Sequence, residues 1–256
     1  SRQERPSLKF RNEPLNKNSL SENSVNMLYK DRDSRLWVAT GGGGINIVEP
    51  PCKNFVLYSN ELLKVNSSTN NSVNVINTIC KGRGNEVYIG SGAGLSILNT
   101  VTGSVKLLQP EWERNHIMIP SSIHSIMPSG DGKFWLGGMD MVISFDPASL
   151  RMTRHQYFAP DRGNLKVAVV SIAEAHSADH SLLASLWAIG YKAFHPATGR
   201  FTDHAPGYFA ELSTPDQSGH VWCYSSRHGL IRYDSLWHGE QFGHDEKKPF
   251  SLSSEV

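Results

Sequence analysis

A short phrase of residues recurs along this chain. Leu36-Trp37-Val38-Ala39-Thr40 is followed by Gly44-Ile45-Asn46-Ile47, and Val87-Tyr88-Ile89-Gly90-Ser91 by Gly94-Leu95-Ser96-Ile97. Phe134-Trp135-Leu136-Gly137-Gly138 leads to Met141-Val142-Ile143-Ser144-Phe145-Asp146-Pro147, and Val221-Trp222-Cys223-Tyr224 to Gly229-Leu230-Ile231-Arg232-Tyr233-Asp234. A diverged copy, fourth in chain order, reads Leu186-Trp187-Ala188-Ile189-Gly190 and then Phe194-His195-Pro196. The central aromatics Trp37, Tyr88, Trp135, Trp187 and Trp222 stand 51, 47, 52 and 35 residues apart. Units of this size cannot bury their own apolar faces and are stable only when stacked on copies of themselves.

Each copy parses into four short strands. Strand a carries Val25 and Leu28 in the first copy, Ile76 and Ile79 in the second, and Ile123 and Ile126 in the third. Tight turns follow at Asp31 to Ser34, Gly82 to Asn85, Ser129 to Gly132 and Asp216 to Gly219, rich in the Asp, Asn, Ser and Gly that reverse a strand. Strand b holds the aromatic and strand c the Gly-Leu pair. Strand d holds Phe55, Leu107, Met152, Phe201 or Phe242. The pattern predicts an all-β fold, a β-propeller of four-stranded antiparallel blades, with blades over 24–58, 74–108, 121–155, 167–204 and 208–243. The recurring aromatics, Trp187 included, are expected to fill the wedges between blades. The Ala-rich stretch Ser171 to Ala184 is the one place where a helical turn is expected.

The ends of the chain resemble each other: Phe10 leads to Ser19-Leu20-Ser21 and Val25, and Phe242 to Ser251-Leu252-Ser253 and Val256. Partial strands are therefore expected at both ends. The five blades then read as one segment, 1–256, of a larger seven-bladed propeller or tandem array, since an open arc exposes two sheet faces. Closure of a small ring by irregular pairing of the ends is the other reading.

Charge excludes one class of partner. The formal net charge is +1 and no basic stripe occurs, so a nucleic-acid surface has no support. No apolar run reaches the roughly 20 residues of a membrane helix. The three cysteines, Cys52, Cys80 and Cys223, form no Cys-x-x-Cys pair, and Cys80 and Cys223 fall in strand patterns as small hydrophobes. The Gly41 to Gly44 run opens a strand rather than a helix, so it is a turn device and not a phosphate cradle. His176 and His180 lack the Glu and the helix of a zinc motif. No catalytic residue, metal or cofactor is expected.

The first copy, with its Asn23-Ser24-Val25 opening, Asp31-x-x-Ser34-x-Leu36-Trp37-Val38-Ala39-Thr40 core and Gly44-Ile45-Asn46 close, resembles the two-component regulator propeller repeat. The preceding Asn18-Ser19-Leu20-Ser21 fits as well, and the later copies fit to varying degree. That repeat builds the periplasmic sensor region of hybrid sensor histidine kinases of the Bacteroidetes. The resemblance implies seven-bladed propellers, ligands that are oligosaccharides, and a parent protein in which a homodimer could transmit the signal.

Function is expected on the loops, which carry variable chemistry on a constant frame. Trp112 and His116 lie in a long d-to-a loop outside the repeat, where an indole suits a sugar ring; the other reading is a loop that anchors itself on the blades through Trp112. Arg227 and His228 occupy a b-to-c loop where other copies carry Gly or Ala, and could hold a carboxylate or sulfate. Asp140, in another b-to-c loop, could accept from hydroxyls. A ligand-sensing segment that binds an oligosaccharide or other small polar ligand fits these residues best. A protein-interaction or dimerisation propeller is the alternative. A propeller glycan lyase or hydrolase would need a carboxylate pair, for which Glu111, Glu113 and Asp140 are the clustered candidates.

Overall fold

The computed structural model of the chain describes residues 9–48, 55–58, 74–108, 122–157, 166–174, 180–206, 212–225, 229–245 and 251. These residues hold twenty strands in five four-stranded antiparallel sheets, and no helix occurs among them. The fold is all-β and each sheet is a propeller blade, as the repeat predicts. The chain divides into two compact units, Ser1–Ile119 and Pro120–Val256.

The first unit holds two blades: β1 (Val25–Lys30), β2 (Leu36–Thr40), β3 (Ile45–Val48) and β4 (Phe55–Tyr58), then β5 (Ile76–Lys81), β6 (Glu86–Ser91), β7 (Gly94–Asn99) and β8 (Val105–Leu107). Strand alternation puts Trp37, Ala39, Ile45 and Ile47 on the face that meets Ile76, Ile79, Val87, Ile89 and Leu98 of the second blade. Each fully buried aliphatic side chain there contributes about 1.5–3 kcal/mol. The a strands approach closely enough for Asn26 Nδ2 to donate to the Ile76 carbonyl at 2.8 Å.

The second unit holds three blades. They are β9 (Ser125–Pro128) to β12 (Arg151–Gln156), with β10 (Phe134–Gly137) and β11 (Met141–Asp146); β13 (Val169–Glu174) to β16 (Arg200–Pro206), with β14 (Leu182–Leu186) and β15 (Gly190–His195); and β17 (Leu212–Pro215) to β20 (Gly239–Phe242), with β18 (Val221–Ser225) and β19 (Gly229–Tyr233). Val142 packs with Val169, Ile172, Leu182, Leu186 and Phe194, while Ala173, Leu183 and Tyr191 pack with Val221, Cys223, Ile231 and Tyr233. Small polar residues of strand a again bridge blades: Ser125 Oγ donates to the Val169 carbonyl at 3.0 Å, and Ser213 N donates to Ser171 Oγ at 2.8 Å.

Four expectations need correction. Trp187 is not on strand b of the fourth blade. That strand is Leu182–Leu186, Leu183 takes the wedge position, and Trp187 lies in the turn to β15 with 61% of its surface exposed. The stretch Ser171 to Ala184 holds no helical turn among its described residues, because Val169–Glu174 and the fully buried Leu182–Leu186 pair as antiparallel strands. In the first blade Val25 and Leu28 are exposed, whereas their counterparts Ile76 and Ile79, behind the same strand bulge, are buried against the preceding blade; no described blade covers that face of the first. Phe10 belongs to no strand; it meets Phe55 edge-on at 5.3 Å, ahead of a loop whose Leu20 is buried with Val38, Val48 and Phe55.

The likeness of the two ends is structural nonetheless. Glu13 N donates to Ser19 Oγ at 2.9 Å and Ser19 Oγ back to the Glu13 carbonyl at 3.1 Å. Asp245 N and Ser251 Oγ repeat the clamp at 3.0 and 2.8 Å. Val256 lies outside the described residues.

Candidate functional site

The repeat residues themselves are consumed by structure. Asp31 Oδ1 accepts from Asp33 N and Arg35 N at 3.0 and 2.9 Å, and Oδ2 accepts from Arg35 Nε at 2.7 Å and from the Trp37 indole at 3.0 Å. Asp216 does the same with Ser218 N, His220 N and the Trp222 indole, at 2.8, 3.0 and 2.8 Å. One carboxylate thus closes the turn and fixes the aromatic of strand b. Burial raises the Asp31 carboxyl, but the hydrogen bonds from Trp37 and Arg35 outweigh it and hold the group below the usual carboxylate range. The Trp222 indole does so for Asp216.

The other motif residues are occupied too. Asn46 is fully buried and exchanges hydrogen bonds with Ser21, accepting from Ser21 N at 2.9 Å and donating to Ser21 Oγ at 2.7 Å. Gly41 and Gly43 lie so close under this loop that a Cβ would meet Ser24 Oγ at 2.9 Å and Ser21 Oγ at 2.5 Å. The glycine run makes room for a neighbouring loop, and no phosphate-binding role is needed to explain it. Burial pushes the Cys80 thiol up to about 11 and the Cys223 thiol up to about 12, so both are inert at neutral pH. Cys52 lies outside the described residues, and among those described no group of His, Cys, Asp or Glu could hold a metal ion.

Of the sequence-predicted site residues, Trp112, His116, Arg227 and His228 lie outside the described residues, as do Glu111 and Glu113. Asp140 is described. It sits in the b-to-c turn of the third blade with φ 57°, a left-handed backbone that costs energy for a residue bearing a Cβ. Its backbone N donates to the Val167 carbonyl and its Oδ1 accepts from Val167 N, both at 2.6 Å. Its carbonyl accepts from Tyr157 N at 2.7 Å and from Gln156 Nε2 at 2.9 Å. Asp140 therefore ties the b-to-c turn to the start of the fourth blade with one carboxylate oxygen.

The sequence reading missed Trp187. Trp187 N donates to the Ala168 carbonyl at 2.9 Å, so the b-to-c turn of the fourth blade docks on the residue next to Asp140's partner Val167. Ala188 follows with φ 61°. Asp140 and Trp187 thus flank residues 167–168, each on a turn with a left-handed residue. An exposed indole and a carboxylate on turns that dock on adjacent residues can take the C–H face of a ring compound and accept from its hydroxyls. The only sequence signal was that the fourth copy fits the repeat poorly.

The a-to-b and c-to-d turns, at the other ends of the strands, border grooves between blades. One of about 260 Å³ runs between the first and second blades beside Asp31 and Trp37. One of about 910 Å³ runs between the third and fourth beside Asp131, Trp135 and Arg151. No helix among the described residues is long and apolar enough to cross a membrane.

Residues 19–42 match the family model described as "Two component regulator propeller". No curated protein matches the chain. Among solved structures, the extracellular domain of a one-component system from B. thetaiotaomicron aligns with TM-score 0.67 and 14% identity over 91% of this chain and 29% of that one. The extracellular domain of a hybrid two-component system from the same organism aligns with TM-score 0.61 and 13% identity over 91% and 34%. Virginiamycin B lyase from Staphylococcus aureus aligns with TM-score 0.61 and 12% identity over 88% and 71%. At these identities the likeness is one of fold, and the chain spans about a third of the length of the two extracellular domains. The resemblance read from the first copy is borne out: this chain carries a two-component regulator propeller repeat at residues 19–42.

Proposed function

We propose that the chain is a ligand-sensing segment of the periplasmic region of a hybrid two-component sensor, and that it binds a small oligosaccharide-like ligand at the b-to-c turns. The repeat at residues 19–42 supports the sensor part. A single observation carries the ligand part: Trp187, 61% exposed, stands across residues 167–168 from Asp140. A sugar ring lies against the indole, and its hydroxyls donate to the Asp140 oxygen that Val167 leaves free. Arg227 and His228, also of the second unit, are the sequence-predicted candidates that complete the contact. Binding transmits a signal only if the ligand prefers one of two arrangements of the parent protein, for which a homodimer across the membrane supplies the two states.

Calorimetric titration with neutral, uronic and sulfated oligosaccharides tests the reading, with the sugars then analysed for cleavage. Binding without turnover is the expected result. Turnover would make the chain an enzyme, which the fold it shares with virginiamycin B lyase allows. No binding to any sugar, together with a stable dimer, would make it an interaction module.

A further inference from the structure

The turn that opens strand b has one construction in three blades and one changed residue. Asp31, Ser129 and Asp216 occupy the same place: the backbone N of each donates to the carbonyl four residues on, at 3.1, 2.9 and 2.9 Å. The residue three places on, Ser34, Gly132 or Gly219, donates back to each carbonyl. Six residues after each stands a tryptophan of strand b. Asp31 and Asp216 accept the indole N–H of Trp37 and Trp222. The second blade has Gly82 at this place and Tyr88 at the aromatic one, and there the phenol donates to Glu86 Oε2 at 3.1 Å. Of the three turns built this way, that of the third blade lacks the acceptor. Ser129 stands where the carboxylate would be, and the nearby acid, Asp131, is two residues late and pairs with Lys133 at 2.8 Å. The Trp135 indole N–H has no acceptor among the described residues, and it is not sealed from solvent.

The same blade borders the larger groove. Trp37 is buried beside a space of about 260 Å³, whereas half-buried Trp135 borders about 910 Å³. The second value falls within the roughly 300–1,000 Å³ of small-molecule sites. Ser144, Asp146, Arg151 and Thr153 offer acceptors and donors along it, and Pro196 and Ala197 form its far wall. Arg151 makes no ion pair among the described residues. A donor without an acceptor, a guanidinium that makes no ion pair, and flanking hydroxyls and a carboxylate match a polyhydroxylated ligand.

We propose that this groove, between the third and fourth blades on the side of the a-to-b and c-to-d turns, is a second saccharide site in which a ligand oxygen accepts the Trp135 N–H. It shares the ligand class of the proposed function but not its site, which lies at the opposite strand ends. The test uses the whole chain with nitrogen-15 in its six indoles, titrated with tri- to hexasaccharides, neutral and uronic, and followed by nuclear magnetic resonance. The Trp135 indole signal, assigned by Trp135→Phe, should move on titration, while those of Trp37 and Trp222 stay. Ser129→Asp rebuilds the turn of the first and fifth blades, so it should fold, supply an internal acceptor and weaken the Trp135-linked binding at least tenfold. Saccharide binding with Trp135 unmoved and Ser129→Asp unchanged would overturn the groove and leave the loop site standing. Silence of every indole, with no heat of binding, would overturn both.

Discussion

At the residue scale, carboxylates hold the tryptophans of strand b. Asp31 combines a closed turn, an ion pair with Arg35 and the Trp37 indole in one group. Hydrogen bonds to a charged acceptor are worth about 1.5–3 kcal/mol each and leave buried donors unsatisfied when lost. Asp31→Asn should therefore lower unfolding stability in urea by about 1–3 kcal/mol. The carboxyls of Asp31 and Asp216 lie below their usual range, so their contribution is complete above the unfolded value of about 4 and drains away as pH falls through the folded values. Urea melts between pH 7 and pH 2 should show a flat upper region and an acid loss that Asp31→Asn reduces. The two described thiols should stay unreactive toward a thiol reagent at pH 8 until the chain is unfolded. The sequence made Asp31 a turn residue and Trp37 a wedge, and both roles hold. The bond between them was not legible, because the reach across six residues depends on how tightly the turn closes.

At the element scale, blades are held by close approach as well as by apolar faces. Gly137 ends β10 where a Cβ would stand 2.2 Å from Ser125 Oγ and 2.3 Å from the Val169 carbonyl, the two atoms that join the third blade to the fourth. Gly137→Ala should cost about 1–3 kcal/mol by overpacking, whereas Gly130→Ala, with nothing within 4 Å, should leave thermal unfolding unchanged. Strand b, strand c and their turns were legible in four copies because Gly, Asp and the aromatics fall at fixed offsets. The fourth copy misled for a physical reason. Leu182 to Leu186 is buried on both faces, so its apolar run has no period, and a tryptophan just beyond it imitates the repeated phrase. The helical turn expected over Ser171 to Ala184 fails on the same ground, since runs of this length do not separate strand from helix by pattern alone.

At the scale of the whole molecule, repetition fixes the frame and the departures from it mark the chemistry. Trp187 is outside the blade core where the phrase implied a wedge, and Ser129 is a hydroxyl where the first and fifth blades have carboxylates. Asp140 was a candidate already in the sequence; Trp187, on a turn docked one residue away, is a candidate only in the structure. Removing an exposed tryptophan leaves stability within about 0.5 kcal/mol, while truncating a buried one costs about 3–5 kcal/mol. The most direct test is therefore to compare Trp187→Ala with Trp37→Ala by thermal unfolding and by calorimetry with the saccharide that the wild-type chain binds. Trp187→Ala should melt with the wild type and bind at least tenfold more weakly, and Trp37→Ala should lose stability. Wild-type affinity in Trp187→Ala, or a loss of stability equal to that of Trp37→Ala, would contradict the assignment of recognition to the turns and of the repeat to the frame.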